Sequence, residues 1–215
     1  MKHDWIDYVT LFVYTGVILF GVLFSIWPDL NKQWIIKQLI NPQNDIVYHV
    51  NDSLKIFKTT LSAEQITQLT TALEIGTSEF DIDFHDVLAI IVIESEFNPK
   101  AINYNSNKTT DTGLTQINGP GWYKLSLEST NLLKKYGQPL RNIHNKYDII
   151  LCILNTYVYL NWARGDLNIK NCYTYTTWIQ SYNVGIGGVL SRSYYFQMKR
   201  ERYFQKFITA RELYN

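Results

Sequence analysis

The stretch 90-IIVIESEFNPKAINYNSNKTTDTGLTQIN-118 decides the reading of this chain. It begins inside an apolar run, places Glu94 where that run ends, continues through a polar segment and closes on Gly-Leu-Thr-Gln-Ile. Upstream, Val87, Leu88, Ile90, Ile91, Val92 and Ile93 are apolar nearly all round a helix, the pattern of a central, buried element. Asp83 is a helix-starting residue, and Asp86 falls in the first turn, where the helix dipole favours an acid. Apolar packing beneath Glu94 disfavours its charged form, and the carboxy end of the helix pushes the same way. Both raise its pKa toward the range a general acid needs. Glu96, two residues on, faces water.

Outward from this centre, Ser62 and Gln65 form a capping box, followed by Ile66, Leu69 and Leu73 at helical spacing. Gly76 is the expected end of that helix. Residues 99–112 read as a loop or short hairpin, and further helices are expected near 126–136, 146–163, 173–183 and 190–212. The fold class is therefore mainly α, with one small β element beside Glu94.

The 215 residues suit one domain with an appendage, and 46% apolar content supports a real core. A net charge of +1 leaves no basic field for nucleic acid. His3, His49, His85 and His144 are scattered, without H-x-x-x-H or C-x-x-C spacing, so neither a metal nor another cofactor is expected. There is no phosphate loop and no G-x-S-x-G elbow. The many aromatics, 16 Tyr and 6 Trp, suit core packing first and a sugar-stacking groove second. Cys152 and Cys172 are compatible with either a disulfide or two free thiols.

Residues 8-YVTLFVYTGVILFGVLFSIW-27 carry no charge, have the length of a hydrocarbon span and end on interface aromatics. They are expected to form a transmembrane helix contacting the lipid bilayer. The expected organisation is a short tail (1–7), the span (8–27), a juxtamembrane stalk (28–60) and a helical domain (61–215).

Three motifs in order then carry a resemblance. "ESEFNPKAINYNSN", "DTGLTQIN" and "SYNVGIGGV" at 181–189 resemble the lytic transglycosylase family with the goose-type-lysozyme-like catalytic (SLT) domain, which carries E-S-x-F-N-P-x-A, G-L-M-Q-I and A-Y-N-A-G in this order. The likeness covers roughly residues 83–190. The insertion before Gly-Leu resembles the branch found with conjugation and secretion systems and in some phages. The resemblance implies that Glu94 is the catalytic glutamate and that Ser95 fixes the helix end and borders the substrate. It places Gly113, Leu114 and Gln116 at the sugar groove, Tyr182 near the glutamate, and Asn183 beside it. A final family tyrosine falls at Tyr195 or Tyr203.

Two departures stand out. Thr115 replaces the methionine of G-L-M-Q, which removes an apolar contact with sugar, and Cys152 and Thr156 replace Asn and Gly in the helix 148-DIILCILNTYVYLNW-162. The implied activity is cleavage of the MurNAc-β-1,4-GlcNAc bond of peptidoglycan glycan strands with formation of a 1,6-anhydro ring. Together with the span, this implies a single-pass membrane protein with its catalytic domain on the peptidoglycan side, in a bacterial envelope or a virion membrane, opening the wall for a secretion, conjugation or virion assembly. Two alternatives accompany it. One is a hydrolytic muramidase in which Asp111 would hold water opposite Glu94. The other is a non-catalytic wall-binding protein on the same fold.

Overall fold

The computed structural model describes residues 42–214. The chain divides into two units, Met1–Asp45 and Ile46–Asn215, and the second carries the site. Its elements are α1 (Pro42–Ile56, which begins in the first unit), α2 (Ala63–Phe80), α3 (Phe84–Ser95), β1 (Ile102–Tyr104), β2 (Thr110–Thr112), β3 (Ile117–Asn118), α4 (Gly119–Lys135), α5 (Ile149–Ile169), α6 (Tyr175–Leu190), α7 (Tyr194–Arg211) and a closing 3-10 turn (Glu212–Tyr214).

The helix starts follow the local chemistry. Ser62 and Gln65 form the expected reciprocal cap of α2, and the Asp83 carboxylate accepts from the His85 amide at the head of α3. Asp148 does the same for α5 by accepting from the Leu151 amide. The 3.6-residue period of α3 is apolar on every side, and residues Val87 through Ile91 are fully buried. Helix α5 is a second central element. Leu151, Ile153, Leu154, Tyr157 and Leu160 are inaccessible, and its polar Asn155 is satisfied from α4, accepting from Ser129 Oγ at 2.6 Å and donating to Ser126 Oγ at 3.0 Å. Ile46, Val50 and Leu54 of α1 are also core residues, and Ser53 meets the Tyr214 hydroxyl at 2.9 Å.

Gly76 does not end its helix. It is buried in the middle of α2 because the Tyr157 ring of α5 lies across it. A β-carbon there would come within 2.1 Å of that ring. The helix runs on to a left-handed cap at Asp81. The glycine is thus a close-packing residue, a role that local pattern does not separate from a helix stop.

The expected β element is a three-stranded antiparallel sheet in the order β1-β2-β3, with Asn103 opposite Asp111 and Asp111 opposite Asn118. Helix α4 starts directly from β3, at Gly119, earlier than the expected 126.

The membrane reading is corrected. Among the described residues no helix is long and apolar enough to cross a membrane, and the stretch 8–27 lies outside them. The longest helix among the described residues, α5, is apolar because other helices surround it, and its exposed end carries Arg164 and Asp166. The fold class is a mainly helical, lysozyme-like domain with a small sheet, and the transmembrane helix, the bilayer contact and the single-pass localisation are not retained.

Both cysteines are free thiols. Cys152 lies near the start of α5 and Cys172 just beyond its end. At about 1.5 Å per residue the helix holds them roughly 25 Å apart, far outside disulfide reach.

Candidate active site

Helix α3 ends because Glu96 and Phe97 both take left-handed backbone conformations, with φ of 51° and 62°. Phe97 is fully buried and stacks on Phe57, which fixes this reversal and leaves Glu94 on the last turn facing a cleft. Glu96 is exposed, as expected. The cleft has a volume of about 650 Å³. One wall is the sheet and its β1–β2 turn, with Asn103, Asn105, Asn107, Asp111 and Asn118, and another comes from Gly121 and Leu125 of α4. Tyr159 of α5, Tyr182, Asn183 and Gly185 of α6, and Lys199 of α7 complete it.

The Tyr203 hydroxyl donates to Glu94 Oε1 at 2.9 Å. Burial raises the Glu94 pKa to about 7. The Tyr203 hydrogen bond offsets part of that rise, the charge of Asp111 adds to it, and Lys206 and Lys199 pull it down. Tyr203 is itself shielded from water, which with the charge of Glu94 drives its own pKa well up and keeps it a donor. Of the two tyrosines left open by the sequence, Tyr195 is 67% exposed and Tyr203 is buried. Helical spacing held the clue, since Tyr203 shares a face with buried Phe207 and Ala210.

The other motif residues separate into two groups. Gln116, Tyr182, Asn183 and Asp111 line the cleft with Glu94. Ser95, Gly113 and Leu114 do not line it; they hold the loop against the helices. Ser95 Oγ donates to the Leu114 carbonyl at 2.6 Å, and Leu114 is fully buried. Gly113 has φ +79°, and a β-carbon there would lie 2.7 Å from both Cys152 Sγ and the Lys146 carbonyl oxygen. Gln116 also adopts a left-handed conformation, and its Nε2 donates to the carbonyls of Gly113 (2.8 Å) and Ala101 (3.1 Å).

The two departures meet at one place. Thr115 is fully buried, and its hydroxyl donates to the Cys152 carbonyl at 3.1 Å, facing α5 and not the cleft. Thr156 donates to the same carbonyl at 3.0 Å and lies 3.1 Å from the Tyr182 hydroxyl. Tyr182 in turn donates to the Thr115 carbonyl at 2.7 Å and stands edge-on to Tyr159, with ring centroids 5.5 Å apart. Polar replacements in separate motifs therefore form one network that sets the Tyr182 ring. Gly185, at φ +69°, kinks α6 one turn later at the cleft edge.

Asp111 is engaged on both oxygens. Asn105 Nδ2 donates to Oδ2 and Asn118 Nδ2 to Oδ1, each at 2.9 Å, and Thr109 joins them by accepting from Asn118 at 2.8 Å. The polar insertion is thus an internally satisfied network that builds the sheet wall. Sequence reasoning did not find Tyr159, Lys199 or the asparagines of the insertion as cleft residues, because nothing in their local pattern distinguishes them from a solvated loop or helix face.

A protonatable carboxyl at the end of a buried helix, in a cleft of amides and hydroxyls beside a small sheet, is the arrangement of a lysozyme-like enzyme acting on a glycan. The family model of the transglycosylase SLT domain matches residues 72–204. The chain belongs to that family, and it is a lytic transglycosylase acting on peptidoglycan. No curated protein matches the chain.

Proposed function

We propose that Glu94 performs both proton transfers in cleavage of the MurNAc-β-1,4-GlcNAc bond. As the acid, it gives its proton to the bridging oxygen, and the C1–O bond breaks with its electron pair leaving on that oxygen. As the resulting carboxylate, it takes the proton of the muramoyl C6 hydroxyl, whose oxygen bonds to C1 and closes the 1,6-anhydro ring. The substrate's acetamido group stabilises the cationic C1 between the two steps, so a second carboxylate is not required. Tyr203 holds Glu94 in place and supports the carboxylate form. Tyr182, Asn183 and Gln116 border the sugar, and Ser95, Gly113 and Leu114 hold the loop that carries Gln116.

One observation carries this reading: Glu94 sits on the cleft with a pKa near 7, poised to give and take a proton near neutrality, while the second cleft acid, Asp111, has both oxygens occupied by amide donors. An acid held in that way is a fixture of the loop and is not arranged to activate water. The likeness of the 102–111 insertion to the branch associated with conjugation, secretion and phages supports a role in opening the wall locally for such a machine or for phage genome delivery.

The test is mass spectrometry of purified peptidoglycan digested with the full chain, with Glu94→Gln as control. Products one water lighter than reducing muropeptides, absent with the control, are expected. Reducing ends would assign a muramidase and return attention to Asp111. Binding without any product would indicate the non-catalytic alternative.

A further inference from the structure

The cleft wall is chemically lopsided. Its amides, Asn103 and Asn183 among them, match the hydroxyl and acetamido groups of an uncharged glycan, while the N–H groups of Asn105, Asn118 and Gln116 already donate within the protein. Two anions face it, Glu94 and Asp111, and among the described lining residues Lys199 is the one cation. No hydrogen bond or ion pair of the described residues engages the Lys199 ammonium. Its neighbour Arg200 is spent on structure, donating to the carbonyls of Gly188 and Val189 and pinning α7 to the end of α6. That anchor holds the backbone of Lys199 at the cleft while its side chain stays exposed. The ammonium lies close enough to the reacting acid for its charge to act on Glu94.

In that position the lysine opposes the acid, because a positive charge favours the ionised carboxylate. Lys206, which does not line the cleft, favours the ionised Glu94 in the same way, so what sets Lys199 apart is its place on the cleft wall, where its ammonium is open to an anion that the substrate brings. The sugar rings of peptidoglycan bring none. Muramic acid does, through the lactyl ether on its O3, which ends either in a free carboxylate or in a stem peptide that itself carries carboxylates.

We infer that Lys199 is a specificity residue that receives a carboxylate borne on the lactyl branch of muramic acid, so that the cleft selects charged muramoyl strands over neutral glycan. This rests on the peptidoglycan-cleaving reading of the cleft and extends it from the backbone of the strand to its side branch. The lysine does no chemistry. Its ion pair is made at the cleft mouth and orients the muramoyl unit beneath Glu94.

Binding tests it without turnover. The full chain carrying Glu94→Gln is compared with Glu94→Gln/Lys199→Gln and Glu94→Gln/Lys199→Arg on three probes. These are glycan strands bearing stem peptides, strands stripped by an amidase to free lactyl carboxylates, and stripped strands with those carboxylates capped as methyl amides. The Glu94→Gln chain is expected to bind a charged strand about 5-fold more tightly than the capped strand, the upper range for a partly exposed ion pair. Lys199→Gln brings that ratio close to one, Lys199→Arg keeps it, and high salt weakens it. Preference for the stripped strand alone assigns the lactyl acid as the partner; preference for the peptide strand alone assigns a stem carboxylate. Equal binding of charged and capped strands, or a ratio unchanged by Lys199→Gln, overturns the inference. Reducing ends in the product assay would instead overturn the transglycosylase reading, and the affinity ratio would still stand.

Discussion

The Tyr203 hydroxyl reaches Glu94 Oε1 at 2.9 Å across 109 residues of chain. It joins the last long helix to the end of the helix that carries the acid. Because it donates to the carboxylate, it steadies the ionised form against the burial that opposes it. Burial still wins, and Glu94 titrates near 7.

Removing that donor therefore has a definite sign. In Tyr203→Phe the ionised form loses a hydrogen bond and the Glu94 pKa rises further. A general acid must be protonated to act, so activity falls as pH climbs through its pKa. The alkaline limb of the pH-rate profile is expected to move up by on the order of 1 unit. A profile that stays in place would show that Glu94 does not set that limb.

Asp111→Asn has the opposite sign. The Asp111 charge raises the Glu94 pKa, so its removal moves the alkaline limb toward lower pH. The asparagine also keeps only one acceptor where two amides now donate, which loosens the sheet wall. Activity is expected to fall less than about 10-fold with anhydro products unchanged, against about 10²–10⁴-fold for loss of an essential acid or base. Near-complete loss in Asp111→Asn with a retained fold would favour the muramidase.

Glu94 should also be visible in stability. Its folded pKa, about 7, lies above the ordinary 4.5. Below that lower value the group is protonated in both folded and unfolded chains. Between the two values only the folded chain keeps the proton, so its contribution to stability declines as pH rises and is fully lost above about 7. Glu94→Gln lacks this slope and is expected to be the more stable protein at pH 8, by roughly 1–3 kcal/mol. Denaturant titrations of both proteins at pH 5 and pH 8 check it. Parallel pH dependence in the two would refute the raised pKa.

Gly113→Ala should unsettle the loop that presents Gln116. The new β-carbon meets both a thiol and a backbone carbonyl at 2.7 Å, at a φ that L side chains rarely adopt. A loss of about 1–3 kcal/mol is expected in thermal or denaturant melts. Adding Cys152→Ala should not restore it, because the Lys146 carbonyl stays where it is. Full rescue by the second change would mean that the thiol alone fixed the contact.

Local chemistry was legible without a structure wherever it acted over a turn or two. The capping box at Ser62, the cap at Asp83 and the all-round apolar period of 84–95 each depend on residues two to four apart. Together they determined where a carboxyl would end a buried helix, and the order of three motifs determined the family that residues 72–204 match. Tertiary packing decided the rest. Gly76 continues its helix because a ring from α5 lies on it, and the thiols stay apart because a rigid helix separates them. Only folding brought Tyr203, and not Tyr195, to Glu94, and set Lys199 at the cleft edge. Those choices depend on contacts between distant segments, for which a sequence carries composition and period but not distance.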